Sequence, residues 1–285
     1  MGWTVLDAPL DSSGAGRGEE RAPQALRAAG LMSRLAARDA GRVDAVIRDA
    51  TRDPVTGVIG AQDLRRGSAL IARALAPVVG DAERRPLVLG GDCTLLLGVF
   101  GALPAGTALW MVDGHPDFHS GQTSPTGEGA DMELSVLTGH GPHGLLERDD
   151  VLVDPAQVDL LGHRDAGDDP DARVEAGRVD PRVRRLTARE LRTRGPAAVG
   201  TQVAGAADEP AWLHLDLDVL DERALPAVSY PQADGLGWDE LVALAGPLAR
   251  SARLVGLSVA DFNPDRDPDG AAARRVVEAL ADLLG

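Results

Sequence analysis

The sequence contains no lysine, and arginine carries all 29 of its basic side chains. Schiff-base catalysis and the phosphate-binding P-loop both need a lysine amine, so both are excluded. Cysteine is nearly absent as well. Cys93 stands alone, which rules out an internal disulfide and makes a reducing cytoplasm the expected compartment. No run of about 18 apolar residues occurs, so no membrane span is expected. The opening MGWTVLDAPLD has neither the basic nor the apolar region of a secretory signal. Positive charge is scarce: 44 acids face 29 arginines, for a net charge of −15. Nucleic acid needs a basic face and is not expected as a partner. A small cation drawn to an acidic cleft is compatible with this balance, as is plain solubility.

What is present fits an ordinary globular α/β protein. The 285 residues are 44% hydrophobic and 26% charged, a length and composition that suit one domain spanning 1–285. Apolar runs bounded by turn residues predict strands near residue 3 and at 86–91, 108–113, 158–165, 183–186, 211–220 and 253–262. Helical spacing predicts helices at 23–38, 63–78, 94–100, 187–194, 238–251 and 270–284, with loops at 53–60 and 165–172. Continuous apolar strands alternating with helices predict a mainly parallel sheet covered on both faces. Ligands of such sheets bind at the carboxyl ends of the strands.

Polar residues gather at those predicted ends. In MVDGHPDFH, Asp113, His115 and Asp117 are spaced two apart. An extended chain would send all three side chains to one side, giving oxygen and nitrogen ligands for a divalent ion. Alone, the pattern also describes a polar turn after a strand. In LHLDLDVLD, Asp216 and Asp218 sit inside an apolar run, where buried carboxylates are costly unless paired or bound to metal. Asp221 reads as an exposed turn residue. LVLGGDCT places Asp92 and Thr94 where they could cap a helix, and Cys93 where the turn meets the site. Taken alone, Cys93 reads more readily as a small buried hydrophobe. His119, His140, His143, His163 and His214 are scattered and read as structural or exposed, with His119 the best candidate among them. No Gly-x-Ser-x-Gly elbow or Cys-x-x-Cys pair is present. A Cys93/His115 nucleophilic pair would leave the strand-end carboxylates unexplained.

Taken together, GGDC, DGHPD, TSPTG, HLDLDVLD and VADFNP, between residues 86 and 264, resemble in order the ureohydrolase (arginase/agmatinase) motifs Gly-Gly-Asp-His-Ser, Asp-Ala-His-x-Asp, Thr-Ser-Pro-Ser-Gly-Asn-x-His-Gly, Ser-x-Asp-x-Asp and Glu-x-Asn-Pro. The resemblance implies a three-layer αβα sandwich with two Mn²⁺ ions. One ion would be held by Cys93, Asp113, Asp117 and Asp216, the other by Asp113, His115, Asp216 and Asp218. A hydroxide shared by the metals would attack a guanidinium carbon, because two cations lower the pKa of water and clamp the tetrahedral intermediate. Asp117 and Asp261 would be the catalytic acids. A trimer or hexamer is implied in the same way.

The departures from the motifs carry their own expectations. Cys93 replaces the first histidine ligand, as in the hydroxyarginine-hydrolysing branch of the family. A thiolate is softer than imidazole and less suited to Mn²⁺, which implies a weaker site or one filled by zinc or iron. Ala130 stands at the proton-transferring histidine, Glu128 and Asp131 at its Asn and Gly neighbours, and Asp261 at the glutamate facing the guanidinium. Gly167 replaces the acid that holds an α-amino group, and His119 the asparagine that reads an α-carboxylate. The expected activity is hydrolysis of a C–N bond in a guanidino or amidino compound, Nω-hydroxyarginine-like or another non-arginine substrate, to urea or a substituted urea plus an amine. Asp261, Glu128, Asp131 and His119 are the expected substrate contacts. A hydrolase of formimino or other amide-like substrates and a non-catalytic metal- or ligand-binding homologue remain as alternatives.

Overall fold

The computed structural model describes residues 2–81, 83–147, 150–167 and 169–285. Among them, eight strands form one sheet: β1 (Gly2–Ala8), β2 (Arg38–Arg42), β3 (Arg84–Gly90), β4 (Ala108–Val112), β5 (Val158–His163), β6 (Arg184–Thr187), β7 (Ala211–Asp216) and β8 (Leu254–Ala260). Their order is β2-β1-β3-β8-β7-β4-β5-β6, and every pair is parallel. The helices are α1 (Ala22–Ala28), α2 (Leu31–Arg34), α3 (Ala61–Val79), α4 (Leu95–Ala102), α5 (Glu133–Leu137), α6 (Pro170–Arg178), α7 (Ala188–Arg194), α8 (Pro196–Ala206), α9 (Trp238–Ala249) and α10 (Ala271–Leu284).

The pleat divides each apolar strand between two cores. Leu87 and Leu89 of β3, Trp110 and Val112 of β4, Leu213 and Leu215 of β7, and Leu257 and Val259 of β8 pack on one face with Leu26, Leu191, Leu244 and Leu280. Their neighbours Val88, Leu109, Met111, Trp212 and Ala260 pack on the other face with Ile71, Leu75, Leu95 and Val99. Both faces are buried, which is why these strands read as continuous apolar runs rather than alternating ones. On α3, Leu64, Ser68, Ile71 and Leu75 recur at helical spacing on the buried side. There α3 meets α4 so closely that a Cβ at Gly98 would lie 2.6 Å from the Ile71 Cβ.

Several expectations are corrected. The stretch 23–38 is not one helix. Gly30, at φ 96, breaks it into α1 and α2, and the chain from Arg38 enters the sheet as β2. Every residue of β2 is exposed, so no apolar pattern announces this edge strand. The loop expected at 165–172 ends early, because Asp169 caps α6 by accepting from the Asp171 and Ala172 amides and Pro170 opens the helix. Helices α5 and α8 were not expected.

Candidate metal centre and active site

The carboxyl ends of the four central strands, β3, β8, β7 and β4, converge. Cys93 follows β3, Asp113 and His115 follow β4, Asp216 closes β7, Asp218 lies in the 3-10 turn after it, and Asp261 follows β8. All of these residues except His115 are buried. The two glycines after β3 make this possible. A Cβ on Gly91 would lie 2.0 Å from the Leu10 carbonyl oxygen, and the Gly91 carbonyl accepts from the Asp261 amide at 2.8 Å. The cap expected from Asp92 or Thr94 does not form: Thr94 stands at the N-cap of α4 without a side-chain cap bond, and the Asp92 carboxylate accepts from the Thr94 amide and hydroxyl just ahead of the helix.

Asp113, His115 and Asp117 do not converge through an extended pleat, as the two-residue spacing suggested. β4 ends at Val112, the His115 amide turns back to donate to Asp113 Oδ1 at 2.7 Å, and Asp117 takes φ 47. A left-handed conformation is strained for a residue with a side chain. Asp261 shares it, at φ 64. His115 Nδ1 meets Asp218 Oδ2 at 2.9 Å, and the Asp218 amide donates to Asp216 Oδ1 at 2.6 Å.

The metal-free electrostatics are those of too many acids in too little water. Burial and then Asp117, Asp216 and Asp218 push the Asp113 carboxyl far up. Burial and Glu133 do the same to Asp117, and burial and Asp216 to Asp261. Burial and Asp218 raise Asp216 to about 7. Burial opposes the charge on His115, but Asp218 outweighs it and holds the imidazolium up to about 9. Burial also raises the Asp218 carboxyl, but His115 and Arg164 outweigh it and keep that group below its ordinary value. Burial and the same carboxylates push the Cys93 thiol far up.

A divalent cation fits this donor set. Ligand atoms of Asp113, His115 and Asp218 lie within 4.8 Å of one another, as do those of Cys93, Asp113, Asp117 and Glu133, and those of Cys93, Asp113, His214 and Asp216. Glu133 is fully buried, and neither of its oxygens has a hydrogen-bond partner. A carboxylate in that position is tolerable only as a proton carrier or as a neighbour of positive charge.

Above the cage lies a cavity of about 160 Å³. His115, Asp117, Asp216, Asp218 and Asp261 form its floor, and His119, Thr126, Glu128, Asp131, Glu175 and Tyr230 its walls. No arginine is among the described residues that line it. Of the expected substrate contacts, all four reach this space. Glu128 is already engaged there by an Arg17 ion pair and by the Tyr230 hydroxyl at 3.3 Å. Asp131 Oδ2 accepts from Ser124 and Thr126 at 2.7 Å each, while its buried Oδ1 is unpartnered. Ala130 also lines the cavity, whereas Gly167 lies beside a separate pocket with His163 and Arg164. Asp221 is partly exposed in a turn, as expected, and accepts from the Arg223 amide.

Sequence reasoning missed four groups. Glu175 arrives on α6, accepts from the Phe118 amide at 2.9 Å and stands 3.7 Å from His119 Nε2. Glu133 arrives on α5. Buried Glu19, raised to about 9 by burial, Asp92 and Asp11, sits beside those two acids. His214, read as structural or exposed, is wholly buried with Nε2 3.0 Å from Cys93 Sγ. The one available signal was the position of His214 two residues before Asp216 on a buried strand, which puts both side chains on one face.

The arginase family model matches residues 2–285. The chain belongs to the arginase family. The Bacillus subtilis arginase is 26% identical over 305 residues, covering 99% of this chain and 97% of that protein. The solved arginase of Bacillus caldovelox superposes with a TM-score of 0.85 at 25% identity, covering 100% of this chain and 98% of that one. The solved formimidoylglutamase of Bacillus subtilis shares the fold, with a TM-score of 0.75 at 17% identity over 100% and 86% of the two chains. The parallel sheet between helical layers is thus the arginase-like αβα fold. The chain is an arginase-family ureohydrolase with a possible metal cage at its strand ends.

Proposed function

We propose that this chain hydrolyses the C–N bond of a small cationic guanidino or amidino compound other than L-arginine, Nω-hydroxyarginine-like or a related amidine, releasing urea or a substituted urea and an amine. The observation that carries this reading is the acidic cavity over the cage. Its floor is lined by carboxylates placed to hold metal, while the asparagine and the acid that read an amino-acid head group in the family motifs are replaced by His119, in its wall, and Gly167, outside it. Asp113, Asp117 and Asp216 with Cys93, and Asp113, Asp216 and Asp218 with His115, would hold two divalent ions, of manganese type at least at the second position. Held there, such ions supply the positive charge that activates water at neutral pH.

The remaining chemistry belongs to the side chains. Asp261 faces the cavity from the end of β8 and binds the amidinium group, orienting its carbon toward the cage. Asp117, buried at the cavity floor, is the carboxylate placed to take the proton that water gives up. Ala130 has no titratable group, so the leaving nitrogen receives its proton from these acids rather than from position 130. Asp131 Oδ1 and the His119–Glu175 pair meet the far, cationic end of the substrate. We read the chain as a single unit that works in the cytoplasm as a homo-oligomer, trimeric or hexameric, which light scattering would measure.

A urea-release screen over guanidino compounds with Mn²⁺, Zn²⁺ or Fe²⁺ tests the reading. Nω-hydroxyarginine-like compounds or guanidino-amines are expected to outperform L-arginine. High arginase activity with tight arginine binding would overturn the substrate assignment. Formamide or ammonia as product would point to the formimino alternative, and inactivity with all three metals to a binding protein.

A further inference from the structure

Met111, His214 and Ser258 are register partners across β4, β7 and β8, and their side chains share the face that carries Val88 and Trp212. His214 is therefore an imidazole set into an apolar row, with no exposure to solvent. Its orientation is fixed. Nδ1 meets Ser258 Oγ at 2.8 Å, and that hydroxyl is itself held by the Trp212 indole N–H at 2.9 Å. Nε2 is left facing the Cys93 sulfur.

A thiol–imidazole hydrogen bond does not account for what surrounds that sulfur. Asp216 Oδ2 lies 2.6 Å away, Asp261 Oδ2 3.1 Å and Asp113 Oδ2 4.0 Å. One thiol proton serves one acceptor. Four acceptors converge on it, and Glu133, whose two oxygens have no hydrogen-bond partner, brings a carboxylate oxygen within 4.8 Å of the same Cys93 and Asp113 donors. A cation satisfies the whole group where a proton cannot. The family motifs place histidine where this chain has Cys93 and serine where it has His214. The imidazole has not been lost from the site but enters it from β7.

We propose that Cys93 Sγ and His214 Nε2, together with the carboxylates of Asp113 and Asp216, bind one zinc-class divalent ion, with His214 in the place given above to Asp117, making the first metal position a thiolate–imidazole site. Sulfur and nitrogen donors favour zinc, cobalt or ferrous iron over manganese. The hydroxyl of Ser258 is the outer partner that aims the ring, the role a carboxylate or carbonyl commonly plays behind a metal-ligating histidine. The second position, with oxygen donors and His115, keeps its affinity for manganese, so the centre is heterometallic. The inference rests on the metal-dependent reading of the cage, not on the identity of the substrate.

Cobalt is the probe. Metal-free full-length protein titrated with Co²⁺ is expected to show a sulfur-to-cobalt charge-transfer absorption that Cys93→Ser abolishes. His214→Ala is expected to weaken cobalt binding at that site roughly tenfold or more and to change the d–d bands. The double variant Cys93→His/His214→Ser should lose the charge-transfer band and bind manganese at both positions. An unchanged spectrum and affinity in His214→Ala would overturn the proposal. Should that variant fail to fold, X-ray absorption on the zinc-loaded wild type decides: a sulfur scatterer with an imidazole beyond that of His115 supports the site, and a coordination shell without sulfur overturns it. Two cobalt ions bound without the charge-transfer band, in an enzyme that releases urea, would sink this inference alone. Absence of all metal uptake would sink the metal-dependent function as well. The expected spectrum in a chain that turns over no guanidino compound would sink only the function.

Discussion

Asp216 and Asp218, on the cavity floor, lie two residues apart at the end of one strand, whereas Asp131 and Glu175, on its wall, come from a loop turn and a helix with no shared local pattern. Every floor ligand except Asp117 sits at or just past the end of one of the four central strands, and backbone bonds such as that from the Asp261 amide to the Gly91 carbonyl fix its place. Wall residues hang on side-chain contacts that substitution can rearrange, as Glu128 shows by pairing with Arg17. The chemistry of the centre therefore resides in the rigid part of the molecule, and substrate choice in the part that changes without disturbing the sheet.

That contrast is broken most severely at the floor. Asp216→Asn removes a carboxylate expected to serve both ions. Activity should fall on the order of a thousandfold, ~4 kcal/mol in barrier height, with bound metal lost in elemental analysis. A variant that keeps both ions and its turnover would show that the floor is not the centre.

Removal of metal exposes the floor to proton linkage. Asp216 is raised from 3.8 to about 7 and His115 from 6.5 to about 9, so both bind protons more tightly folded than unfolded. The stability they contribute is fully present below the unfolded values and is lost as pH rises through 7 for the acid and 9 for the imidazole. The Tm of chelated protein should fall steadily between pH 5 and pH 9, and saturating metal should flatten the profile. Calorimetry showing a metal-free Tm that climbs across this window would contradict the assignment.

Effects at the wall should be smaller and should appear in KM. Asp131→Asn neutralises the unpartnered Oδ1 and is expected to raise KM roughly tenfold, ~1.4 kcal/mol, with kcat nearly kept. A matching fall in kcat would place Asp131 in the reacting shell instead. Glu128→Gln should change kcat/KM least, about twofold, since Arg17 already holds that carboxylate. A loss as large as that of Asp131→Asn would show that the Arg17 pair opens to admit substrate.

The same contrast decides what was legible in the sequence. Strands β3, β4, β7 and β8 are apolar on both faces and announced themselves, and their terminal acids followed. β2, with no buried residue, gave no pattern to read. The approach of Asp113 and Asp117 was anticipated for a geometric reason that failed: a turn and a left-handed residue bring them together, not a pleat. Glu133 and Glu175 were invisible because each lies on a short helix whose own period says nothing about a site formed elsewhere in the chain. The Asp169-Pro170 pair would have revealed α6, though not which of its residues turns inward. His214 could be placed on the Asp216 face by counting, but its meaning depended on Cys93, which a different strand supplies.

The bond from the Asp261 amide to the Gly91 carbonyl ties the end of β8 to the turn that carries Cys93, and the two side chains meet at 3.1 Å. The residue expected to grip the substrate and the residue expected to bind the first metal are in effect two ends of one lever. A longer acid at 261 would press on the sulfur, and a bulkier ligand at 93 would press on the acid. The short acid at 261 and the small side chain at 93 thus pack as a pair, and Asp261, although it is expected to grip the substrate, belongs with the rigid floor rather than with the walls.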